Sequence, residues 1–231
     1  MLICPKQKQR TLSETDTLNA YFDGNRLKET QQEKLLGVRV DSNLTWQDQI
    51  DYVCKTVSTR LALLRRIKQF IDIPTRILFF NGYILPFLNY CNLVWSSCTR
   101  SKVIRIEKLL KSAARIILDA TYDERSEDLF SKLGWKTFSQ SLKQKRLIMV
   151  YKSLNGHTPP YMRDMFEYTH SVHDHGLRST SSLALYMSGD RTDFNNKRFS
   201  YIGAKEWNDL PNNIKSAANL NRFKALIKDT L

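Results

Sequence analysis

The chain has 231 residues, of which 42% are hydrophobic and only 8 are glycine and 6 proline. This length suits one large domain or two small ones, and the composition argues against a β-sandwich with many tight turns and favours long helices. Lys and Arg number 36 against 23 Asp and Glu, and the net charge of +13 favours nucleic acid as partner ahead of an anionic membrane or a basic surface that is merely solvated.

The first forty residues have strand-like patterns. Leu18 to Phe22 and Arg26 to Lys28 flank the turn signal Asp23-Gly24-Asn25, which predicts a hairpin, and Lys34 to Val40 predicts a third strand. Met1 to Cys4 is an apolar strand fragment with nothing before it to pair with. We therefore expect its partner to lie upstream, in a longer parent protein.

From Thr45 the apolar period becomes helical. Apolar residues recur at spacings of three, four or seven, which places them on one helix face: Trp46, Ile50, Val53, Val57, Leu61, Leu64 and Ile71. Asp72-Ile73-Pro74 ends this helix and begins the next. The segment from Ile77 to Trp95 is nearly apolar all round, which predicts a central helix that Pro86 kinks or splits.

The helix predicted from Lys102 to Leu118 is amphipathic. One side is apolar and carries Val103, Ile106, Leu109, Leu110, Ala113 and Ile117. The opposite side is basic and carries Arg105, Lys108, Lys111 and Arg115.

Further helices are predicted towards the C-terminus. They span Ser126 to Lys132, Ser139 to Asn155, Ser200 to Trp207 and Leu220 to Leu231. Ser139 is a plausible N-cap and Gly156 a plausible stop. A polar, irregular stretch separates the second of these helices from the third and contains a strand-like piece at Leu183 to Met187. The predicted fold class is mainly α, a helical bundle with a short N-terminal β-hairpin or sheet remnant.

Residues suited to catalysis or metal binding form no strong pattern. His170, His173 and His175 have a spacing that suits zinc, but a solvated polar loop is the favoured interpretation. No phosphate-binding glycine loop, nucleophile elbow or Asp-Asp pair occurs. Asp41 follows a strand, as a catalytic carboxylate would, yet a turn or helix-start role is favoured.

The cysteines and the apolar segments favour an intracellular protein. Cys4, Cys54, Cys91 and Cys98 form no CxxC pair and predict reduced, buried thiols. The N-terminus is too short and polar for a signal peptide, and the stretch from Ile77 to Trp95 is too interrupted to span a membrane. We expect no membrane partner and a location in the nucleus or cytoplasm.

Binding is the function that remains. Aromatic residues among the basic runs, namely Trp135, Phe138 and Tyr151, suit base stacking, although core packing is favoured for each. The predicted nucleic-acid-binding residues lie on the basic helix faces: Arg65, Arg66, Lys68, Arg105, Lys108, Lys111, Arg115, Lys143, Lys145 and Arg146.

The segments, taken in order, resemble the C-terminal part of the polyprotein of non-LTR (LINE-type) retrotransposons, the region after the reverse transcriptase catalytic core. The matching pieces are Leu35-Leu36-Gly37-Val38, Asp41 to Trp46, Leu85-Pro86, Tyr90-Cys91, Val94-Trp95, Ala113 to Ile117, Leu133-Gly134-Trp135, Tyr151 to Gly156, Pro160-Tyr161, Leu177-Arg178-Ser179, Phe199 to Pro211 and Phe223-Lys224. Together they cover nearly all of the chain from Leu35 onward.

The resemblance implies a division into residues 1–44 as a palm-tail β element, 45–165 as a helical thumb-like and connector region, and 166–231 as a C-terminal domain. In the family the thumb holds the template–primer duplex, so the implied partner is RNA or an RNA–DNA duplex, together with the missing palm and fingers. The family's Ala-Asp-Asp turn, which binds two Mg²⁺ ions, is not present in this sequence. We therefore expect no cofactor or metal in this fragment and carry over no catalytic residue.

The departure from the family pattern indicates either a truncated retrotransposon remnant or a gene product that begins late. Two alternatives to nucleic-acid binding stay open. One is a host-coopted module that binds protein, and the other is part of an RNA-directed DNA polymerase that acts only with the upstream palm.

Overall fold

The computed structural model describes residues 20–172, 183–187 and 195–230. Helices predominate in it, as the sequence predicted. The strand predicted at Met1 to Cys4 and the start of the first hairpin at Leu18 lie outside these residues. β1 (Tyr21–Phe22) pairs antiparallel with β2 (Asn25–Arg26), which confirms the first hairpin. Its turn places residues 23 and 24 at φ values of 49° and 74°, the left-handed region that a two-residue hairpin turn requires.

A second hairpin replaces the single strand that the sequence predicted over Lys34 to Val40. β3 (Gln32–Leu35) pairs antiparallel with β4 (Val38–Asp41), so that prediction was wrong. Leu36 and Gly37 turn the chain at φ values of 46° and 84°. The sequence pattern does not mark this turn, because Leu36 is apolar like its neighbours although its side chain is 83% exposed.

The carboxylate of Asp41 starts the first long helix. Its two oxygens accept hydrogen bonds from the backbone N–H groups of Thr45, at 2.9 Å, and Trp46, at 2.7 Å. These donors lie just before α1 (Gln47–Ile67) and have no partner within the helix. The favoured role of Asp41 as a helix-start residue is confirmed.

The buried face of α1 follows the predicted stripe as far as the end of the helix. It consists of Gln49, Ile50, Val53, Val57, Leu61 and Leu64. The last predicted member, Ile71, was placed wrongly, because it follows a 3₁₀ turn (Lys68–Phe70) in extended conformation at φ −133°. The next helix, α2 (Ile73–Phe79), begins at the Asp72-Ile73-Pro74 motif as predicted, and Asp72 caps it by accepting from the Thr75 N–H at 3.0 Å.

The apolar segment after α2 is split rather than kinked. A π-helical turn (Phe80–Ile84) leads into α3 (Leu85–Asn89), which holds Pro86 in its first turn, where proline is tolerated. A left-handed residue at φ 48°, Cys91, separates α3 from α4 (Asn92–Trp95).

The expectation that this whole segment is central was wrong. One side is buried and includes Phe80, Ile84, Leu88 and Trp95. The other side reaches solvent, with Leu78 at 70%, Tyr90 at 52% and Val94 at 54% exposure. The short helices therefore carry apolar residues on two sides, and only one of these sides packs against the core.

α5 (Arg100–Leu118) lies parallel to α1. Along the pair, Lys102 Nζ donates to the Thr45 carbonyl, Arg105 bridges Asp51 at 2.7 Å, and Lys68 pairs with Asp119. These contacts follow the same order in both helices, so their C-terminal ends lie together. The buried side of α5 comprises Ile106, Leu110, Ala113, Ala114, Ile116 and Ile117.

The described residues form two compact units, the first ending at Trp135 and the second beginning at Lys136. The division that the resemblance implies has its boundaries at residues 44 and 165. The strands belong with the helices that follow because the Arg39 N–H donates to Gln49 Oε1, at 2.9 Å, across from β4 to α1. The first unit closes with α6 (Ser126–Leu133) and with the Trp135 ring stacked on Phe80 at 4.4 Å.

The second unit is built on α7 (Phe138–Leu154). Its start was predicted at a Ser139 cap, but Thr137 is the N-cap, because its hydroxyl accepts from the Gln140 N–H at 3.2 Å while the Gln140 side chain accepts from the Thr137 N–H at 2.9 Å. The remaining helices are α8 (Pro160–Arg163), α9 (Thr169–Val172), α10 (Phe199–Asn208), α11 (Asn212–Lys215) and α12 (Leu220–Thr230).

The core of the second unit is aromatic at its centre. Tyr151 stacks on Phe223 at 4.4 Å, and the Trp207 ring lies 5.8 Å from Phe223. The strand-like piece from Leu183 to Met187 contributes one isolated bridge, between Leu185 and Tyr168. The buried set also includes Leu147, Val150, Phe166, Leu185, Ala204, Leu210, Ile214 and Ile227.

Candidate nucleic-acid interface

Five cationic side chains line one cleft of about 740 Å³ in the first unit. They are Arg65, Lys68, Lys108, Lys111 and Arg115, all of them predicted binding residues. The other lining residues are uncharged: Ser112, Ile116, Ala120, Tyr122 and Ser126. The cleft therefore presents positive charge together with two hydroxyl groups and one phenol.

The helix geometry explains why these cations meet. Lys108, Lys111 and Arg115 are three and four positions apart, so they share one face of α5. Arg65 and Lys68 lie at the end of α1, which the parallel packing brings beside the end of α5. The seven residue steps from Lys108 to Arg115 span about 10 Å along the helix axis.

Two carboxylates offset part of this charge. Lys68 pairs with Asp119, and the hydrogen bond and charge of Lys68 lower the pKa of the Asp119 carboxyl. The pKa of Glu127 is lowered by its own backbone N–H first, and also by the charge of Lys111. Five cations against these two acids leave the cleft with a positive excess.

Arg115 has the most specific environment in the cleft. Its Nη2 donates weakly to the backbone carbonyls of Tyr122, at 3.4 Å, and Glu124, at 3.3 Å. Its guanidinium carbon lies 5.3 Å from the centre of the Tyr122 ring. Its Nε is buried and has no hydrogen-bond partner among the described residues, an arrangement that carries a desolvation cost.

The other predicted residues of the first unit do not line the cleft. Arg66 is exposed at the end of α1 but is not part of the lining. Arg105 bridges Asp51, whose pKa is lowered by hydrogen bonds from Gln47 first and from Arg105 second. Arg105 is therefore already engaged with a carboxylate.

The three predicted residues of the second unit lie on α7 and have mixed environments. Arg146 forms a two-point ion pair with Glu206, and the two side chains are only 12% and 14% exposed. Lys145 is half-buried, and burial lowers the pKa of its ammonium group. Lys143 is half-buried as well. These residues do not form a counterpart to the cleft of the first unit.

Sequence reasoning missed two residues that shape this region. Arg76 was not singled out, although it donates to the Lys68 carbonyl at 2.6 Å and the Ile117 carbonyl at 2.9 Å and so joins the ends of α1 and α5. Tyr122 was also missed, because it lies in a loop outside any periodic pattern. A lone tyrosine between two helices gives no signal until the helix ends are placed.

Two of the three aromatic residues considered for base stacking are buried in the core, as the favoured interpretation held. Phe138 and Tyr151 are 4% and 2% exposed. Trp135 is engaged with Phe80, as described above. Phe138 and Tyr151 are therefore not available as platforms for bases, and the half-buried Trp135 has one face covered by Phe80.

The prediction that the cysteine thiols are buried was partly wrong. Cys91 is exposed, because its left-handed turn lies on the solvent side of the split helix. Cys54 and Cys98 are half-buried, and burial raises the pKa of both thiols.

The predicted histidine cluster lies mostly outside the described residues. His170 is described and stacks on Tyr168 at 5.4 Å, whereas His173 and His175 are not among them. Within the described ranges, no group of three His, Cys, Asp or Glu side chains is placed to hold a metal ion.

None of the helices that the structure describes is both long and apolar enough to cross a membrane. Comparisons with models of protein families, with curated proteins and with solved structures found no match.

Proposed function

We propose that the first unit binds the backbone of RNA or of an RNA–DNA duplex through the basic cleft, and that the chain acts as a thumb-like binding region without a catalytic site of its own. The single observation that carries the proposal is the convergence of five cations from two parallel helices on one cleft lined by no carboxylate. Phosphates attract such a surface whatever the base sequence.

The dimensions of the cationic row suit a nucleic-acid strand. Lys108, Lys111 and Arg115 extend over about 10 Å of helix axis, which is close to three nucleotide steps at about 3.4 Å each. Arg115 lines the cleft, and its buried Nε has no acceptor among the described residues, so the hydrogen-bonding capacity of its guanidinium is not fully used within them. Arginine suits a contact with phosphate because its planar group offers several donors.

Helix-end electrostatics account for some of the same charge. Arg65 and Arg115 lie in the last turns of their helices, where cations offset the partial negative charge of the terminal carbonyls. Arg76 already satisfies carbonyls at both helix ends. Lys108 lies nearly three turns before the end of α5 and is exposed, so the helix terminus does not account for its charge.

The order of motifs that resembles the region after the catalytic core of non-LTR reverse transcriptases supports the same proposal. In that interpretation the reacting carboxylates and their Mg²⁺ ions belong to an upstream palm. Activity as an RNA-directed DNA polymerase would then depend on supplying that palm, and the chain alone would bind without catalysing.

A binding measurement with charge-matched variants tests the proposal. A labelled RNA–DNA heteroduplex is titrated at low salt with the wild type, with Lys108→Gln/Lys111→Gln, and with Lys34→Gln/Lys55→Gln. The second pair removes the same charge from exposed positions outside the cleft lining. We expect the cleft variant to bind at least about tenfold more weakly and the control to resemble the wild type. No wild-type affinity at low salt, or equal losses in both variants, contradicts the proposal.

Protein binding is the second candidate, and the exposed apolar tip of the second hairpin favours it. Leu35 and Leu36 are 66% and 83% exposed, and the hydroxyl of the half-exposed Tyr90 donates to the Leu36 carbonyl at 2.6 Å. A pull-down with nuclease treatment tests this candidate. A protein that stays bound to the wild type after the treatment, is lost with Leu36→Asp and is kept with Lys108→Gln/Lys111→Gln would support this candidate over the first.

A further inference from the structure

Tyr122 stands at the edge of the basic cleft with its ring in solvent. It is 87% exposed, the highest value among the large hydrophobic side chains that the structure describes. It also lines the cleft beside the five cations. An aromatic ring that is mostly in solvent leaves a large apolar surface in water, and here that surface adjoins a site suited to phosphates.

The loop that carries Tyr122 is fastened on both sides. The Ala120 N–H donates to the Arg115 carbonyl at 3.0 Å, and the Thr121 N–H donates to Glu124 Oε1 at 3.3 Å. Lys132 on α6 bridges the same Glu124 carboxylate at 3.5 Å. The first two contacts hold the backbone before Tyr122, and Arg115 Nη2 donates to the Glu124 carbonyl after it at 3.3 Å, so the exposed ring is displayed from an anchored loop.

We infer that Tyr122 and the cleft form a site for an unpaired nucleotide, whose base stacks on the Tyr122 ring while its phosphates face Lys108, Lys111 and Arg115. This inference rests on the proposed function and adds to it a position for an unpaired base beside the phosphate-binding cations. A paired base is already stacked on its neighbours and cannot offer its face to a side chain without opening the duplex. An unpaired base offers that face, and every base has one, so the site needs no sequence specificity.

The Arg115 guanidinium assists the arrangement. It lies 5.3 Å from the centre of the Tyr122 ring, within the range of a cation–π contact. The same side chain therefore contacts one face of the ring and lines the cleft. A base on the open face of the ring would complete a stack next to the phosphate-binding cations.

The test compares a single-stranded RNA oligonucleotide with an abasic strand of the same length, which keeps the phosphates and removes the bases. Binding of each is measured for the wild type, Tyr122→Ala, Tyr122→Phe and Lys108→Gln/Lys111→Gln. We expect the wild type to prefer the strand with bases by about 5- to 150-fold, the range that stacking of one base supports. Tyr122→Ala should remove that preference, Tyr122→Phe should keep it, and the cleft variant should weaken both strands.

Equal wild-type affinity for the two strands overturns the inference, and so does an equal loss for both in Tyr122→Ala. If the cleft variant still weakens binding in those cases, the proposed function stands and only the role of Tyr122 fails. If the wild type binds neither strand nor the heteroduplex, the proposed function fails together with the inference. Circular dichroism of Tyr122→Ala at the assay temperature checks that the variant is folded.

Discussion

The guanidinium of Arg76 donates a hydrogen bond to the Ile117 carbonyl at 2.9 Å and thereby reaches from α2 to the end of α5. Two more donors of the same group bind the carbonyls of Lys68 and Ile71, at 2.6 Å and 3.1 Å. One side chain thus satisfies acceptors at the ends of both helices that form the basic cleft. The position of the cleft depends on this junction.

Replacing Arg76 by Met should destabilise the first unit. Hydrogen bonds from a charged donor contribute about 1.5–3 kcal/mol each, and three are lost, although partial solvation reduces the effect. We expect the free energy of unfolding to fall by about 3 kcal/mol, measured by urea denaturation. Arg100→Met, at the exposed start of α5, is the matched control and should change stability little. An Arg76→Met variant as stable as this control would contradict the assignment.

The ion pair between Arg146 and Glu206 should matter for stability and not for nucleic-acid binding. Removing one member of a mostly buried pair leaves an uncompensated charge, so Glu206→Ala should cost about 3 kcal/mol. The double variant Arg146→Met/Glu206→Leu should recover much of that loss, because an apolar pair removes both charges together. If the double variant is as unstable as the single one, the pair is not the cause. The affinity of the double variant for the heteroduplex should equal that of the wild type.

Asp41 should act through the start of α1. Losing an N-terminal side-chain acceptor costs about 1 kcal/mol and up to about 2, and Asp41→Ala removes two such bonds. Asp41→Asn keeps one strong acceptor and should lose less. Urea denaturation measures both, with the exposed Asp123→Ala as control. A loss no larger than that of the control would argue against a structural role for this carboxylate.

The three described cysteines should differ in thiol chemistry. In a Cys4→Ser background, a maleimide should label Cys91 first because it is exposed. Burial raises the pKa of Cys54 and Cys98, so less thiolate is present at a given pH and their labelling should begin only at a higher pH. Mass spectrometry of digests taken across a pH series reads this order directly. Faster labelling of Cys54 or Cys98 than of Cys91 would contradict the structure.

The sequence predicted elements whose signal is local and periodic. The basic row of α5, four of the six residues on its predicted apolar face and the buried stripe of α1 follow from spacing, and the start of α2 follows from a short motif. On α5, Val103 and Leu109 are only half-buried, and the buried Ala114 and Ile116 were not predicted. The exposed side of the segment from Ile77 to Trp95 escaped prediction, because apolar residues such as Leu78 and Val94 face solvent and their pattern does not indicate burial. The choice of Thr137 over Ser139 as N-cap depends on a reciprocal bond with Gln140.

The candidate site was predicted in part for the same reason. Lys108, Lys111 and Arg115 share a helix face that the sequence shows. Their meeting with Arg65 and Lys68 requires the parallel packing of α1 and α5, which is a tertiary relationship. Arg146 has the same sequence signature as the cleft cations, and only its contact with Glu206 distinguishes it.

The most direct test of the central claim is the salt dependence of heteroduplex binding. For duplex ligands, the logarithm of the binding constant falls with the logarithm of salt concentration by about 0.9 per phosphate neutralised. The wild type should therefore show a steep slope, and Lys108→Gln/Lys111→Gln should reduce its magnitude by about 2, near 1 for each lysine. Lys34→Gln/Lys55→Gln should leave the slope unchanged. Affinity that is indifferent to salt, or a slope that both double variants change equally, would contradict binding in the cleft.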